Sequence, residues 1–284
     1  MVEITESHLA DVEGLQVRRA LPRRGRRTVG AWCFVDHFGP VGREQADLMQ
    51  VGPHPHIGLQ TVTWILEGEV LHHDSLGSVQ MIQPGQVNLM TAGRGVARAE
   101  EAQRGTAGLH GAQLWIAQPE ATRFGVPRFE HLAELPTDDV GAATVRVLVG
   151  EQVQVGRSPA LIDSPLVGAA VSARPGTCEL ALDPAWEHAV VVLSGALLVD
   201  GARVEPGHLA YVAPQAASIE LETFEDSEAL VLGGAPFEAD PLMWWNFVAR
   251  SWAEVDDARA DWAAGADRFG TVDSRLARID APSR

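Results

Sequence analysis

The chain has 284 residues, 46% of them hydrophobic, and a formal net charge of −16. That length favours two domains or one large β domain, and the acidic balance excludes a basic face for direct nucleic-acid binding. All 22 cationic side chains are arginines, which excludes a Schiff-base or P-loop lysine.

The N-terminal segment has neither a positive n-region nor an apolar h-region, and no apolar run is long enough for a bilayer. The expectation is therefore a cytoplasmic protein without a membrane partner. The run Arg23-Arg24-Gly25-Arg26-Arg27 reads as a solvated loop. Apolar residues from Val29 to Phe38 predict a strand ending in the Asp36-His37-Phe38-Gly39-Pro40 loop. His37 reads as a residue that holds this loop. Further strands are predicted over 60–66, 79–82, 87–90 and 112–117, with turns at Glu67-Gly68, Gly77, Pro84-Gly85 and Gly93. Many short strands at regular spacing predict an all-β fold of barrels or sandwiches.

Residues 118–142, with prolines at 119, 127 and 136, read as a linker, after which the β pattern resumes. Ala189–Gly201 predicts a hairpin, and Val204–Pro214 predicts the next strand pair. The Leu66-Glu67-Gly68 and Ile82-Gln83-Pro84-Gly85 steps are echoed by Leu193-Ser194-Gly195 and Val204-Glu205-Pro206-Gly207, so the two halves read as copies of one β domain. The expected boundaries are a first barrel over 1–130, a linker over 131–145, and a second barrel with a C-terminal helix and tail over 146–284. Ser251-Trp252-Ala253-Glu254 reads as a capping box. Trp252, Val255, Ala258 and Trp262 then share one apolar helix face. Residues 263–284 are expected to be ordered only where they dock. Cys33 and Cys178 belong to no Cys-x-x-Cys pair and read as buried free thiols of a reducing compartment.

The chemistry concentrates between Pro53 and Glu100. His54 and His56 stand two apart, so on a strand both point to one face, and Arg98 and Glu100 repeat that spacing. Two histidines and a carboxylate inside a barrel form a donor set of the non-haem iron type. His188 has no histidine partner two residues away, so the second half has no metal signature. His8, His131 and His208 read as surface or loop residues, and His72 and His73 follow a turn. No Gly-x-Ser-x-Gly elbow is present, and Gly93-Arg94-Gly95 lacks the rest of a dinucleotide loop.

The segments Trp32–Pro40, Pro53–Gly68, Asp74–Gly77, Thr91–Gly95, Leu114–Ile116, Leu232–Gly234 and Trp244–Val248 resemble those of the pirin family, within the cupin superfamily. The resemblance implies a bicupin of two β-barrels packed face to face, with one metal site, for Fe(II) or another divalent transition metal, in the first. In that family three histidines and a glutamate hold the ion. His54, His56 and Glu100 match three of these ligands, and Arg98 stands where the third histidine belongs. A guanidinium stays charged and has no lone pair to donate. Three readings of Arg98 compete. The metal survives on His54, His56 and Glu100; or Arg98 pairs with Glu100 and repels the ion; or Arg98 turns to Glu101 or solvent and His110 fills in. The second of these is preferred over the first.

Three functions follow from the resemblance and its departure. The first is a metal-dependent dioxygenase of the quercetin 2,3-dioxygenase type, with a small aromatic substrate near Met90 and Trp64. The second is a non-catalytic regulatory protein that binds a transcription factor or metabolic enzyme. The third is a metal-free enzyme in which Arg98 holds a substrate anion and His54 or His56 acts as base.

Overall fold

The branched and aromatic runs form strands, and the glycines between them turn the chain. The computed structural model describes residues 2–103, 105 and 107–283. Strands make up 55% of the chain and helix 7%, so the fold is all-β, with two cupin domains and a short C-terminal helix. Gly68, Gly77, Gly85 and Gly93, all predicted turns, have φ of +86°, +88°, +88° and +52°, a region that non-glycine residues rarely enter.

One unit comprises Asp11–Val17, Phe38–Ala133 and Glu238–Arg284. A four-stranded sheet in it runs in the order Gln50–His56, Val96–Ala102, Val70–Asp74, Val79–Ile82. The facing sheet contains Arg128–Leu132, Val87–Thr91, Leu59–Glu67 and Gly108–Ala117 in that order. Pro53 and Pro55 sit on the edge strand, where a missing N–H costs little pairing.

The other unit comprises Met1–Ala10, Arg18–His37 and Glu134–Phe237. Its large sheet includes Val2–Glu6, His208–Val212, Glu187–Ser194, Ser227–Gly234, Leu166–Ala173, Ala143–Gln152 and Thr137–Val140 in that order. Its smaller sheet runs Gly176–Ala181, Ser218–Thr223, Leu197–Val199, Ala202–Val204. Their inner faces close over an apolar core that includes Val145, Val171, Leu180, Val190, Val192, Leu197, Ile219, Leu221 and Val231.

The internal repeat is visible in how the chain alternates between sheets. Each half goes from its larger sheet to two strands of the smaller, back to the larger, to the smaller and back again. Ala189–Gly201 is for that reason not a paired hairpin. The turn at Ser194–Gly195 carries the chain from Glu187–Ser194 in one sheet to Leu197–Val199 in the other.

The units differ from the contiguous boundaries 1–130, 131–145 and 146–284 at both ends of the chain. Val2–Glu6 pairs with His208–Val212 and belongs with the second half, while the C-terminal helix belongs with the first. Residues 131–145 hold the end of Arg128–Leu132, all of Thr137–Val140 and the start of Ala143–Gln152. Local patterning reports strands and helices but not which distant edge or apolar face they cover.

The helix Trp252–Ala264 explains its own placement. Val255, Ala258 and Trp262 are buried with Ile57, Ala97, Ala99, Phe247 and Phe269, so the helix covers the outer face of the strand Val96–Ala102. Trp252 departs from the expected stripe and is 46% exposed. Ser251 caps the helix by accepting from the Glu254 N–H at 3.3 Å. The reciprocal half of the box is changed: the Glu254 carboxylate accepts from Arg250 N at 3.1 Å and pairs with Arg123 at 2.7 Å. The tail docks along the edge strand, with Ile279 N donating to Pro53 O at 2.9 Å and Trp262 Nε1 donating to Ile279 O at 2.8 Å. Gly52 is required there, because a Cβ would fall 2.0 Å from Ala277 O. Cys33 and Cys178 are buried and not joined in a disulfide.

Candidate metal centre

The strand Val96–Ala102 is buried on both faces. Ala97 and Ala99 lie under the C-terminal helix, and Arg98 and Glu100 point the other way, into the barrel. Arg98 pairs in register with His54 on one side and Asp74 on the other, and Glu100 lies beside His72. The register shifts between Arg98 and Glu100, so Glu100 stands opposite Val51. Such a bulge re-aims side chains near a site. His54, His56, His72, Asp74, Arg98 and Glu100 are each less than 5% exposed.

The guanidinium of Arg98 occupies the centre of this group. Its Nη2 lies 3.0 Å from Glu100 Oε2 and donates to Gln113 Oε1 at 3.3 Å. Its Nη1 donates to Thr61 Oγ1 at 3.0 Å, and its Nε faces His54 Nε2 at 3.5 Å. Gln113 is locked in turn, because its Nε2 donates to Val62 O at 3.1 Å and its Oε1 accepts from Thr63 Oγ1 at 3.1 Å. Burial lowers the Arg98 pKa while Glu100 and Asp74 oppose that shift. A guanidinium starts high enough to stay charged.

His54 and His56 are held neutral. Burial, helped by the Arg98 charge, lowers the His54 pKa to about 4. Burial and the same cation push His56 well below its usual value, and the Asn246 backbone only partly offsets them. His54 Nδ1 lies 2.8 Å from Gly52 O, a carbonyl that only accepts, so Nδ1 carries the proton. His54 Nε2 then presents its lone pair to the Arg98 Nε–H. Neither ring nitrogen of His56 has a partner in hydrogen-bonding geometry, and the ring stands edge-on to Trp115 with centroids 5.6 Å apart.

The four residues singled out from the sequence therefore converge. As the side chains stand, two donor groups of the set are already engaged. Its carboxylate is ion-paired, one imidazole lone pair faces a cation, and among the described residues no three His, Cys, Asp or Glu side chains are grouped to hold a metal. Glu101 does not receive Arg98; it pairs with Arg275 of the tail at 2.8 Å. His110 stands in register with Glu67 at the end of its strand. Met90 and Trp64 are 1% and 2% exposed and belong to the core.

Sequence reading passed over His72, Asp74, Thr61, Thr63 and Gln113. His72 Nε2 and Asp74 Oδ2 are 3.0 Å apart, and the His72 ring stacks on Phe129. Burial raises the Asp74 pKa, but hydrogen bonds from His72 and Ser78 outweigh it and the net shift is downward. The signal for this pair was available in its spacing, since His72 and Asp74 stand two apart like the other two pairs. Thr61 and Thr63 also stand two apart, but threonine at that spacing is ordinary in a strand, and Gln113 lies on another strand of the facing sheet.

Comparison with known proteins agrees with this architecture. Residues 14–116 match the Pirin family model and residues 171–270 match the Pirin C-terminal cupin domain. The Pseudomonas aeruginosa protein PA1205, named provisionally as a quercetin 2,3-dioxygenase, is 44% identical over 95% of this chain and 86% of its own length. A crystal structure of quercetin 2,3-dioxygenase from Acinetobacter baumannii is 40% identical with a TM-score of 0.96, covering 100% of this chain and 95% of that one. The nickel(II) complex of the Escherichia coli pirin YhhW has the same fold at 18% identity and a TM-score of 0.65, covering 83% of this chain and 100% of that one. With both pirin family models matched and a relative 44% identical over nearly the whole chain, the chain belongs to the pirin family.

Proposed function

We propose that this pirin-type bicupin has an altered first-barrel centre in which Arg98 takes the place of a resident divalent metal, and that the protein acts by binding a protein partner rather than by oxygenase turnover. The observation that carries the reading is the buried ion pair of Arg98 and Glu100 at 3.0 Å. The guanidinium is a tethered cation that engages the same acid and the same His54 lone pair that an ion would use. A divalent ion about 4 Å from it meets a repulsion of about 8 kcal/mol at an effective dielectric near 20, twice the value for unit charges. A loss of that size turns a nanomolar site into roughly a millimolar one. Turning Arg98 away instead forfeits its bonds to Glu100, Thr61 and Gln113 and leaves the buried Glu100 without its cation. A regulatory role matches what the family resemblance implies for a member without redox chemistry, and the partner would be a transcription factor or metabolic enzyme. The metal-free catalytic reading loses support from the same geometry, because Arg98 already has an internal carboxylate and is not poised for a substrate anion.

The second reading, a metal-dependent dioxygenase acting on a small aromatic substrate, is favoured by the names of the relatives at 44% and 40% identity. One experiment separates the two. Wild type and Arg98→His are loaded anaerobically with Fe(II), Mn(II), Ni(II) or Co(II), desalted and analysed for metal, then used as bait in their own lysate. The expected result is metal in the variant alone and the same captured partner for both. Stoichiometric metal in the wild type, with ring opening of quercetin under O₂, replaces the regulatory reading with the enzymatic one.

A further inference from the structure

The second barrel has its own opening. A cavity of about 760 Å³ is bounded by strands of both its sheets and by the segments around Val153–Pro165 and Leu182–Trp186. Leu166, Val167, Ala169, Leu180, Leu182 and Val231 give it a mainly apolar wall. Its volume falls within the range of small-molecule sites. Val153, at its rim, is 76% exposed.

Two polar groups break the apolar lining. His188 is 1% exposed, and its Nδ1 has no partner in hydrogen-bonding geometry. Ser164 is 8% exposed, and its Oγ is likewise without a partner. On the same strand as His188, Val190 and Val192 fill the barrel as core residues. A third branched residue in place of His188 would complete that core. An unsatisfied buried polar group instead costs about 1–3 kcal/mol. The ring also has a prepared seat, because a Cβ on Gly233 would fall 2.4 Å from His188 Cδ2. Burial lowers the His188 pKa to about 4, with Asp183 and the Trp186 backbone offsetting only part of the effect, so the imidazole is neutral. The charged residues of the lining are Glu151, Asp163, Asp183 and Arg157, and Arg157 is ion-paired with Glu151. That acidic rim opposes an anionic ligand.

We propose that this cavity binds an uncharged, mainly apolar molecule of one to three fused rings bearing a hydroxyl or carbonyl group, with His188 and Ser164 as its polar anchors. The site is independent of the first barrel and of the function proposed for it.

The test uses 2-naphthol as probe and the full chain. Calorimetry is expected to show saturable 1:1 binding that is equal in wild type and Arg98→His, weakened about tenfold by His188→Val and abolished by Leu180→Trp. Naphthalene-2-sulfonate, the same ring system with a permanent charge, is expected to bind more weakly than 2-naphthol. The His188 imidazole resonances of the wild-type chain should shift on addition of 2-naphthol, which keeps the test valid if a variant fails to fold. Absence of saturation in wild type, unchanged His188 resonances, binding that survives Leu180→Trp in a folded variant, or preference for the sulfonate overturns the proposal.

Discussion

The two barrels put opposite chemistry on the two faces of matching strands. In the first, Gln50–His56 and Val96–Ala102 turn His54, His56, Arg98 and Glu100 inward, while Ala97 and Ala99 face outward under a helix. In the second, the corresponding ladder of Gly176–Ala181 with Ser218–Thr223 turns Cys178, Leu180, Ile219 and Leu221 inward. Its outward residues Thr177, Glu179 and Glu220 are exposed. The second arrangement is the ordinary half-buried strand. The first is inverted, and inversion has two requirements. The outward alanines need a cover, which the C-terminal helix supplies, and the inward charges need one another. The lesson is that one β framework can carry a site or a core, and that the site shows itself by what must be added around it.

The largest expected effect comes from breaking the inward charge pair. Glu100→Ala leaves Arg98 as a buried cation without its nearest carboxylate and should cost about 3–5 kcal/mol in urea unfolding. Giving the first barrel the second barrel's chemistry, with Arg98→Met and Glu100→Leu together, should recover most of that loss, since a well-packed apolar replacement of a buried pair is often neutral or stabilising. If Glu100→Ala proves neutral, the guanidinium is not held as described and the comparison fails.

That inversion also explains what could be read from the sequence. Cys178, Leu180, Ile219 and Leu221 alternate with polar residues, so apolar alternation faces the second-barrel strands correctly. The same rule applied to Ala97, Arg98, Ala99 and Glu100 would face the strand backwards. Here the spacing of His54 with His56, and of Arg98 with Glu100, marked side chains that share one buried cluster, which hydrophobicity would have missed. The all-β class, the repeat and the glycine turns were legible because they are local. The exchange of chain ends was not, because the covering of Ala97 and Ala99 and the pairing of Val2–Glu6 depend on partners far away in sequence. Trp252 was misplaced for a related reason: helical periodicity marks a face but not how far its edge extends into solvent.

Acid should separate the barrels less sharply, because each buries a neutral histidine. His54 has a folded pKa of about 4, below its ordinary value of 6.5, so the unfolded chain binds the extra proton. Stability is then fully present above pH 6.5 and falls as the pH drops toward 4. This residue contributes about 3 kcal/mol to that loss. His56 acts in the same direction, as does His188 from the second barrel, to a smaller extent where solvent enters its cavity. Urea midpoints measured from pH 7.5 to 4 should decline across this window. The slope should shrink in His188→Val and leave a residue attributable to the first barrel. A midpoint that is flat across the window would mean that the imidazoles are charged or solvated in the folded chain.

The smallest effects probe the cover that the first barrel needs and the second does without. Ser251 caps the helix over Ala97 and Ala99, and Ser251→Ala should cost about 1 kcal/mol, as cap losses usually do. Trp252, next along the chain and 46% exposed, lies outside the buried face, and Trp252→Ala should stay within about 0.5 kcal/mol despite the size of the side chain removed. Trp262 makes the contrast internal to the helix. It is 3% exposed and its indole N–H is bonded to Ile279 O, so its truncation should cost about 3–5 kcal/mol and release the tail from the edge strand. Hydrogen exchange at Ile279 reports that release directly. Faster exchange there in Trp262→Ala but not in Trp252→Ala is the pattern required if the helix binds through Val255, Ala258 and Trp262, whereas equal effects would mean that the covering face has been drawn one position too narrow.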